Sequence, residues 1–171
     1  MIDLMCVIAL ELKARPARST EQVAASAKSP SFPDIQDGEV KEFVRLPVAS
    51  KKPSEEIAAT TWKIILVSSK RDHKPLGLEI CDDVIIGRGA DNLKPDLDLT
   101  KHDAEQLGVS RQHAMLRPTK KELLLVDLGS TNGTYCNAEK VHLGSPRRLK
   151  TGDAISLGDL HFQVRVVSQP V

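Results

Sequence analysis

The sequence predicts an all-β sandwich of eleven short strands, preceded by a largely unstructured N-terminal segment. Three observations carry this. From Trp62 onward, short aliphatic runs recur every few residues and are separated by Gly, Asp, Asn or Pro, the pattern of a sandwich or barrel rather than of alternating strands and helices. The last run alternates cleanly, with Phe162, Val164 and Val166 facing one way and Gln163 and Arg165 the other, the period of a half-buried strand. Before Trp62 the composition changes: Pro16, Pro30, Pro33, Pro47 and Pro53 lie among many Ala, Ser, Lys and Glu. Such a stretch buries too little apolar surface to offset the entropy of ordering it.

The elements follow in order. Strands are expected at 62–68, 76–80, 83–88, 97–99, 113–117, 122–127, 134–136, 139–141, 146–149, 153–157 and 161–167. One helical turn fits between the fourth and fifth, with Thr100 as N-cap, Asp103 in the first turn and Gly108 at the end. In the leader, Ser19-Thr20-Glu21-Gln22 could cap a brief helix, and Ile2–Leu12 is either weakly ordered or a strand. The division is thus a low-order leader over 1–61 and a folded domain over 62–168.

Composition narrows the function. The chain of 171 residues carries 24 Lys+Arg against 23 Asp+Glu, a net charge of +1, which argues against a general polyanion binder and hence against nucleic acid. The apolar run Leu4–Leu10 is too short for a bilayer, which needs about 20 residues in a helix. Basic residues follow this run rather than precede it, the wrong order for a signal peptide. No membrane partner and a cytoplasmic location are expected. Cys6, Cys81 and Cys136 show no metal-ligand spacing, so no metal, cofactor or disulfide framework is expected.

The polar residues that could carry chemistry fall at strand ends: Gly87-Arg88-Gly89, then Ser110-Arg111-Gln112-His113, then Asp127-Leu128-Gly129-Ser130-Thr131-Asn132-Gly133-Thr134. Loops at one end of a sandwich converge. Together these offer a guanidinium, hydroxyls, an amide and glycine-freed backbone N–H groups. That set suits a phosphorylated side chain, with about −1.5 to −2 charges and three acceptor oxygens, because arginine presents a planar donor fork to such oxygens.

These runs, with Leu149-x-x-Gly152-Asp153-x-Ile155-x-Leu157-Gly158 after them, resemble a forkhead-associated (FHA) domain, in the right order and over residues 62–167. A small bacterial protein with a single such domain is the expectation. The resemblance implies an eleven-stranded SMAD/FHA-type sandwich that binds phosphothreonine peptides. By it, Arg88 is similar to the phosphate-binding arginine, and Ser110 to a hydroxyl that caps a phosphate oxygen. Arg111 would add charge or contact the peptide. Thr131 would be the second hydroxyl contact, Asn132 the amide that holds the peptide main chain, and Asn137 a second asparagine that contacts or buttresses the peptide further along. Gly87, His113 and Gly133 would support the site. Ala138 departs from the pattern, where the family usually has Gly.

Each residue also has an ordinary alternative: a surface arginine for Arg88, a solvated one for Arg111, a turn cap for Ser110, turn formers for Thr131 and Asn132, and a hairpin residue for Asn137. The implied partners are phosphothreonine-containing proteins, a Ser/Thr protein kinase or its substrates. Two alternatives to a phosphothreonine adaptor stand beside it. One is a scaffold for unphosphorylated partners. The other is a self-inhibited switch regulating metabolic enzymes, in which phosphorylated Thr20, with Val23 three residues on, folds back into the pocket. An enzyme is not expected, since no nucleophilic cysteine loop, metal set or Ser/His/Asp set is present. Between Arg88 and Ser110 the rim is acidic, carrying Asp91, Asp96, Asp98, Asp103 and Glu105 against Lys94 and Lys101. Such a rim favours an apolar or basic residue beside the phosphothreonine.

Overall fold

The computed structural model describes residues 30–34, 40, 42–46, 61–90 and 93–170. Eleven strands follow Trp62: β2 (Trp62–Ser68), β3 (Leu76–Ile80), β4 (Val84–Gly87), β5 (Leu97–Asp98), β6 (Ala114–Pro118), β7 (Leu123–Asp127), β8 (Thr134–Cys136), β9 (Glu139–Val141), β10 (Arg147–Leu149), β11 (Ala154–Leu157) and β12 (Leu160–Ser168). A further strand, β1 (Phe43–Arg45), precedes them. One sheet has seven strands in the order β1-β3-β2-β12-β11-β8-β9, and the other has five in the order β10-β7-β6-β4-β5.

The core lies between the sheets and is aliphatic apart from Phe162, Trp62 and Cys136. Phe162 and Val164 are fully buried while Gln163 and Arg165 face outward, as the alternation in this strand requires. Trp62 donates its indole N–H to the Thr119 carbonyl at 2.8 Å, which ties the start of β2 to the β6–β7 hairpin.

β1 lies inside the stretch that composition assigns to the leader. It pairs in parallel with β3, Val44 opposite Leu78. Three residues carry no readable period, and this strand is held through its backbone and its flanks. Leu46 is buried, and Val40 and Phe43 crowd Gly77, where a Cβ would meet Val40 Cγ1 and the Glu42 carbonyl at 2.8 Å. Upstream, Asp34 pairs with Arg165 at 3.1 Å, which sets Asp34 against the outer face of the seven-stranded sheet. Thr20, the Ser19–Gln22 cap and Ile2–Leu12 lie outside the described residues.

The turn before β6 departs from expectation. Thr100 is the first residue of a 3-10 turn (Thr100–His102), not its N-cap, and Leu99 precedes it with no side-chain cap. The Thr100 hydroxyl instead donates to Asp98 Oδ1 at 2.5 Å and accepts from Gly89 N–H at 3.1 Å. Asp98 thereby fastens the chain after Arg88 to the chain before the turn. The 3-10 turn also ends earlier than expected: Asp103, expected in its first turn, is its C-cap at φ 55°, and Gly108 lies five residues further on at φ +72°, a conformation glycine adopts without penalty.

Strand register sets where the loops emerge. Ala114 stands opposite Ile86 in β4 and opposite Asp127 in β7. The loop after β4, the loop before β6 and the loop after β7 therefore leave the sandwich at one end.

Candidate functional site

Gly87 decides how the first two loops meet. A Cβ there would sit 2.1 Å from the Arg111 carbonyl oxygen and 2.9 Å from that of Ser110, so only glycine allows the two main chains this close. With that approach secured, Arg88 N–H donates to the Ser110 carbonyl at 3.1 Å. Arg88 itself is half-buried, and its Nη1 donates to Glu105 Oε1 at 2.8 Å.

Ser110 joins the third loop. Its Oγ accepts from Thr131 N–H at 3.1 Å and lies 3.4 Å from Thr131 Oγ1. Asn132 Nδ2 donates to the Gly108 carbonyl at 2.9 Å. Arg88, Ser110, Thr131 and Asn132 thus gather at one end of the molecule. Arg88 and Ser110 flank strands of the five-stranded sheet, while Thr131 and Asn132 lie on the loop that crosses from β7 of that sheet to β8 of the seven-stranded one.

His113 is wholly buried beneath them. Its Nδ1 accepts from Ser110 N–H at 2.9 Å, which leaves the proton on Nε2 for the Gly133 carbonyl at 3.1 Å. One ring therefore spans the second and third loops. Burial lowers its pKa, against a smaller opposite effect of the Gly133 hydrogen bond, so the neutral ring that this network needs is the favoured one. Gly133, at φ +85°, also accepts from Gly158 N–H at 3.1 Å.

Asp127 organises the third loop from within. Its Oδ1 accepts from the Ser130 and Thr134 hydroxyls, both at 2.5 Å. Its Oδ2 accepts from the N–H groups of Gly129 at 2.9 Å and Ser130 at 3.2 Å. Burial alone raises the pKa of this carboxyl, but the four hydrogen bonds outweigh it and the net shift is downward. Sequence alone assigns no individual site role to Asp127 or Gly108, and it marks Glu105 only as one acidic residue of the rim. Asp127 had a usable signal, since aspartate two residues before a glycine and three before a serine is an Asx-turn pattern.

Two expected site residues are placed differently from Arg88, Ser110, Thr131 and Asn132. Arg111 is exposed, and it is its carbonyl, packed on Gly87, that shapes the site. Asn137 lies at the other end of β8 from Asn132. Its Nδ2 donates to Asp153 Oδ1 and its Oδ1 accepts from Ala154 N–H, each at 2.9 Å, so its amide braces the β8–β9 turn against the start of β11. Asn137 and Ala138 form a two-residue turn at φ 52° and 66°, the geometry of tight hairpins. Ala138 therefore adopts the left-handed conformation despite its side chain.

Residues 84–158 match the family model described as FHA domain. The chain belongs to the FHA domain family. Protein FraH from Nostoc sp. is 40% identical over 104 residues, covering 60% of this chain and 35% of that protein. The glycogen accumulation regulator GarA of Mycobacterium tuberculosis is 41% identical over 64 residues, covering 37% of this chain and 36% of GarA. This FHA chain thus spans about a third of the length of either curated relative. A solved FHA domain from a study of phosphothreonine-dependent interactions is 32% identical, over 64% of this chain and 99% of that one, with a TM-score of 0.49. Among the described residues, no helix is long and apolar enough to cross a membrane.

Proposed function

We propose that this protein is a phosphothreonine-reading adaptor of Ser/Thr kinase signalling, and that it binds its targets at the loop end built from Arg88, Ser110, Thr131 and Asn132. The observation that carries the reading is that the loops bearing a guanidinium, two hydroxyls and an amide are tied together, with Arg88 N–H donating to the Ser110 carbonyl, Thr131 N–H to Ser110 Oγ and Asn132 Nδ2 to the Gly108 carbonyl. In this reading Arg88 holds the phosphate. Ser110 and Thr131 bind its remaining oxygens, Asn132 binds the target main chain, and Gly87, His113 and Gly133 hold the loops in place. Arg111 has the weaker case, as an exposed charge beside the phosphate. Asn137 positions a turn rather than the ligand.

The folded unit of this reading is 62–168, with 1–61 as a leader, and its location is cytoplasmic. The partners are phosphothreonine proteins, a kinase or its substrates. No catalytic step is assigned, and a regulatory role accords with what GarA is called. The test is titration of a randomised peptide library bearing phosphothreonine, phosphoserine or plain threonine. Phosphothreonine peptides should bind and plain ones should not. Phosphoserine lacks one methyl, which is worth about 0.8 kcal/mol as a transfer term, so it should bind at least about threefold more weakly. Equal binding of all three would leave the unphosphorylated-scaffold alternative standing.

A further inference from the structure

We propose that Glu105 is the resident counter-ion of Arg88, that an arriving phosphate displaces it, and that the released carboxylate then favours targets with a lysine or arginine next to the phosphothreonine. This rests on the phosphothreonine reading of the site. Glu105 Oε1 accepts from Arg88 Nη1 at 2.8 Å, with the two side chains 71% and 31% exposed respectively. The two members of the pair are held unequally. Arg88 is anchored through its backbone to Ser110, with Gly87 beside it packed on the Arg111 carbonyl. Glu105 lies outermost, with room to turn.

The backbone that carries Glu105 is braced on both sides. Lys70 pairs with Asp103 at 2.9 Å. Val109 N–H donates to the Ala104 carbonyl at 2.7 Å, Asp159 N–H donates to that of Leu107 at 2.9 Å, and Asn132 holds that of Gly108. Release of Arg88 is therefore a rotation of one side chain, with the loop staying in place.

An exposed ion pair is a weak competitor, and a dianion brings twice the charge and more acceptors to the same donor fork. Phosphate wins Arg88. The freed carboxylate is then left close to a like charge, an unfavourable arrangement that a cation on the target relieves. Binding becomes an exchange of partners, in which phosphate takes Arg88 and the target's cation takes Glu105.

The test uses the full chain and its Glu105→Gln variant. The probe is a phosphothreonine peptide selected from the library on the unmodified chain, made with either Lys or Met at the positions flanking the phosphothreonine. The Met peptide should bind Glu105→Gln roughly three- to tenfold more tightly than the unmodified chain. On the unmodified chain the Lys peptide should outbind the Met peptide by a similar factor, and that preference should vanish in Glu105→Gln. Equal or weaker binding of the Met peptide to the variant overturns the counter-ion role. A Lys preference that is absent, or that survives in the variant, overturns the selection of cationic targets; the exposed Arg111 taking up the carboxylate would give the first of these. Failure of every phosphothreonine peptide to bind the unmodified chain is a different result, because it removes the site reading itself and this proposal with it.

Discussion

Asn132 and Gly108 fit one another with no room to spare: the amide nitrogen donates to the Gly108 carbonyl at 2.9 Å, and a Cβ on Gly108 would lie 2.2 Å from that same nitrogen. Gly108 also holds φ +72°. Gly108→Ala should therefore do two things. It should cost about 1–2 kcal/mol of stability for the left-handed backbone. It should also push Asn132 off its carbonyl and weaken phosphothreonine peptides by more than the stability loss explains. Peptide titration at a temperature where the variant is fully folded checks this.

Arg88→Ala should cut phosphopeptide affinity at least about tenfold, since hydrogen bonds to charged groups contribute about 1.5–3 kcal/mol. The melting temperature should move little, because the ion pair lost is with the exposed Glu105 carboxylate, and pairs of this kind contribute about 0–1 kcal/mol. A variant that unfolds would mark Arg88 as a core residue.

Gly87→Ala makes the opposite case. Its new methyl group would meet backbone, not a yielding side chain, at 2.1 Å. Overpacking of this kind costs about 1–3 kcal/mol or more, and denaturant unfolding should show a loss at the upper end of that range together with lost peptide binding.

The acid limb of stability should carry the His113 signature. Its folded pKa is lowered by burial, so the unfolded chain takes up the proton first. The stabilising contribution is complete above the unfolded value of about 6.5 and is lost as pH falls through the folded value. His102 is lowered for the same reason, mainly burial, and acts in the same direction. Unfolding free energy measured from pH 7.5 to 5 should fall, and it should fall less steeply in His113→Gln, where the His102 contribution alone remains. Parallel curves would exclude His113 from the titration.

Ala138→Gly should stabilise the domain by up to about 1 kcal/mol. The left-handed conformation at φ 66° costs a non-glycine residue roughly 1–2 kcal/mol, partly offset by glycine's greater chain entropy. Asn137→Ala should lower stability while leaving phosphopeptide affinity within about twofold, because its amide bonds only to Asp153 and Ala154. Thermal unfolding and peptide titration on both variants decide the point.

Much of this architecture was legible in the chain itself. The strands after Trp62 announce themselves through aliphatic runs bounded by turn residues, and their observed bounds fall within one residue or so of the expected ones. The loops that meet at the site were legible as polar runs at strand ends. What escaped were features with no local signal. β1 is three residues long and its Val44 is half exposed, so neither length nor period marks it. Thr100 looks like a cap, yet Asp98, two residues earlier, captures its hydroxyl. The Glu105–Arg88 pair spans 17 residues and the Asn132–Gly108 pair 24, distances over which only the folded chain decides who meets whom. Asn137 shows the converse: a motif names the residue without showing that its amide bonds to Asp153 and Ala154.

Of the loops that would grip a phosphate, those of Arg88 and Ser110 belong to the five-stranded layer, while the one with Thr131 and Asn132 crosses from that layer to the seven-stranded one. A cargo group seated among them would act as a rivet through both plates. The occupied domain should then resist being peeled apart along its interior far better than the empty one, and an encounter that begins as recognition would also lock the reader's own shape.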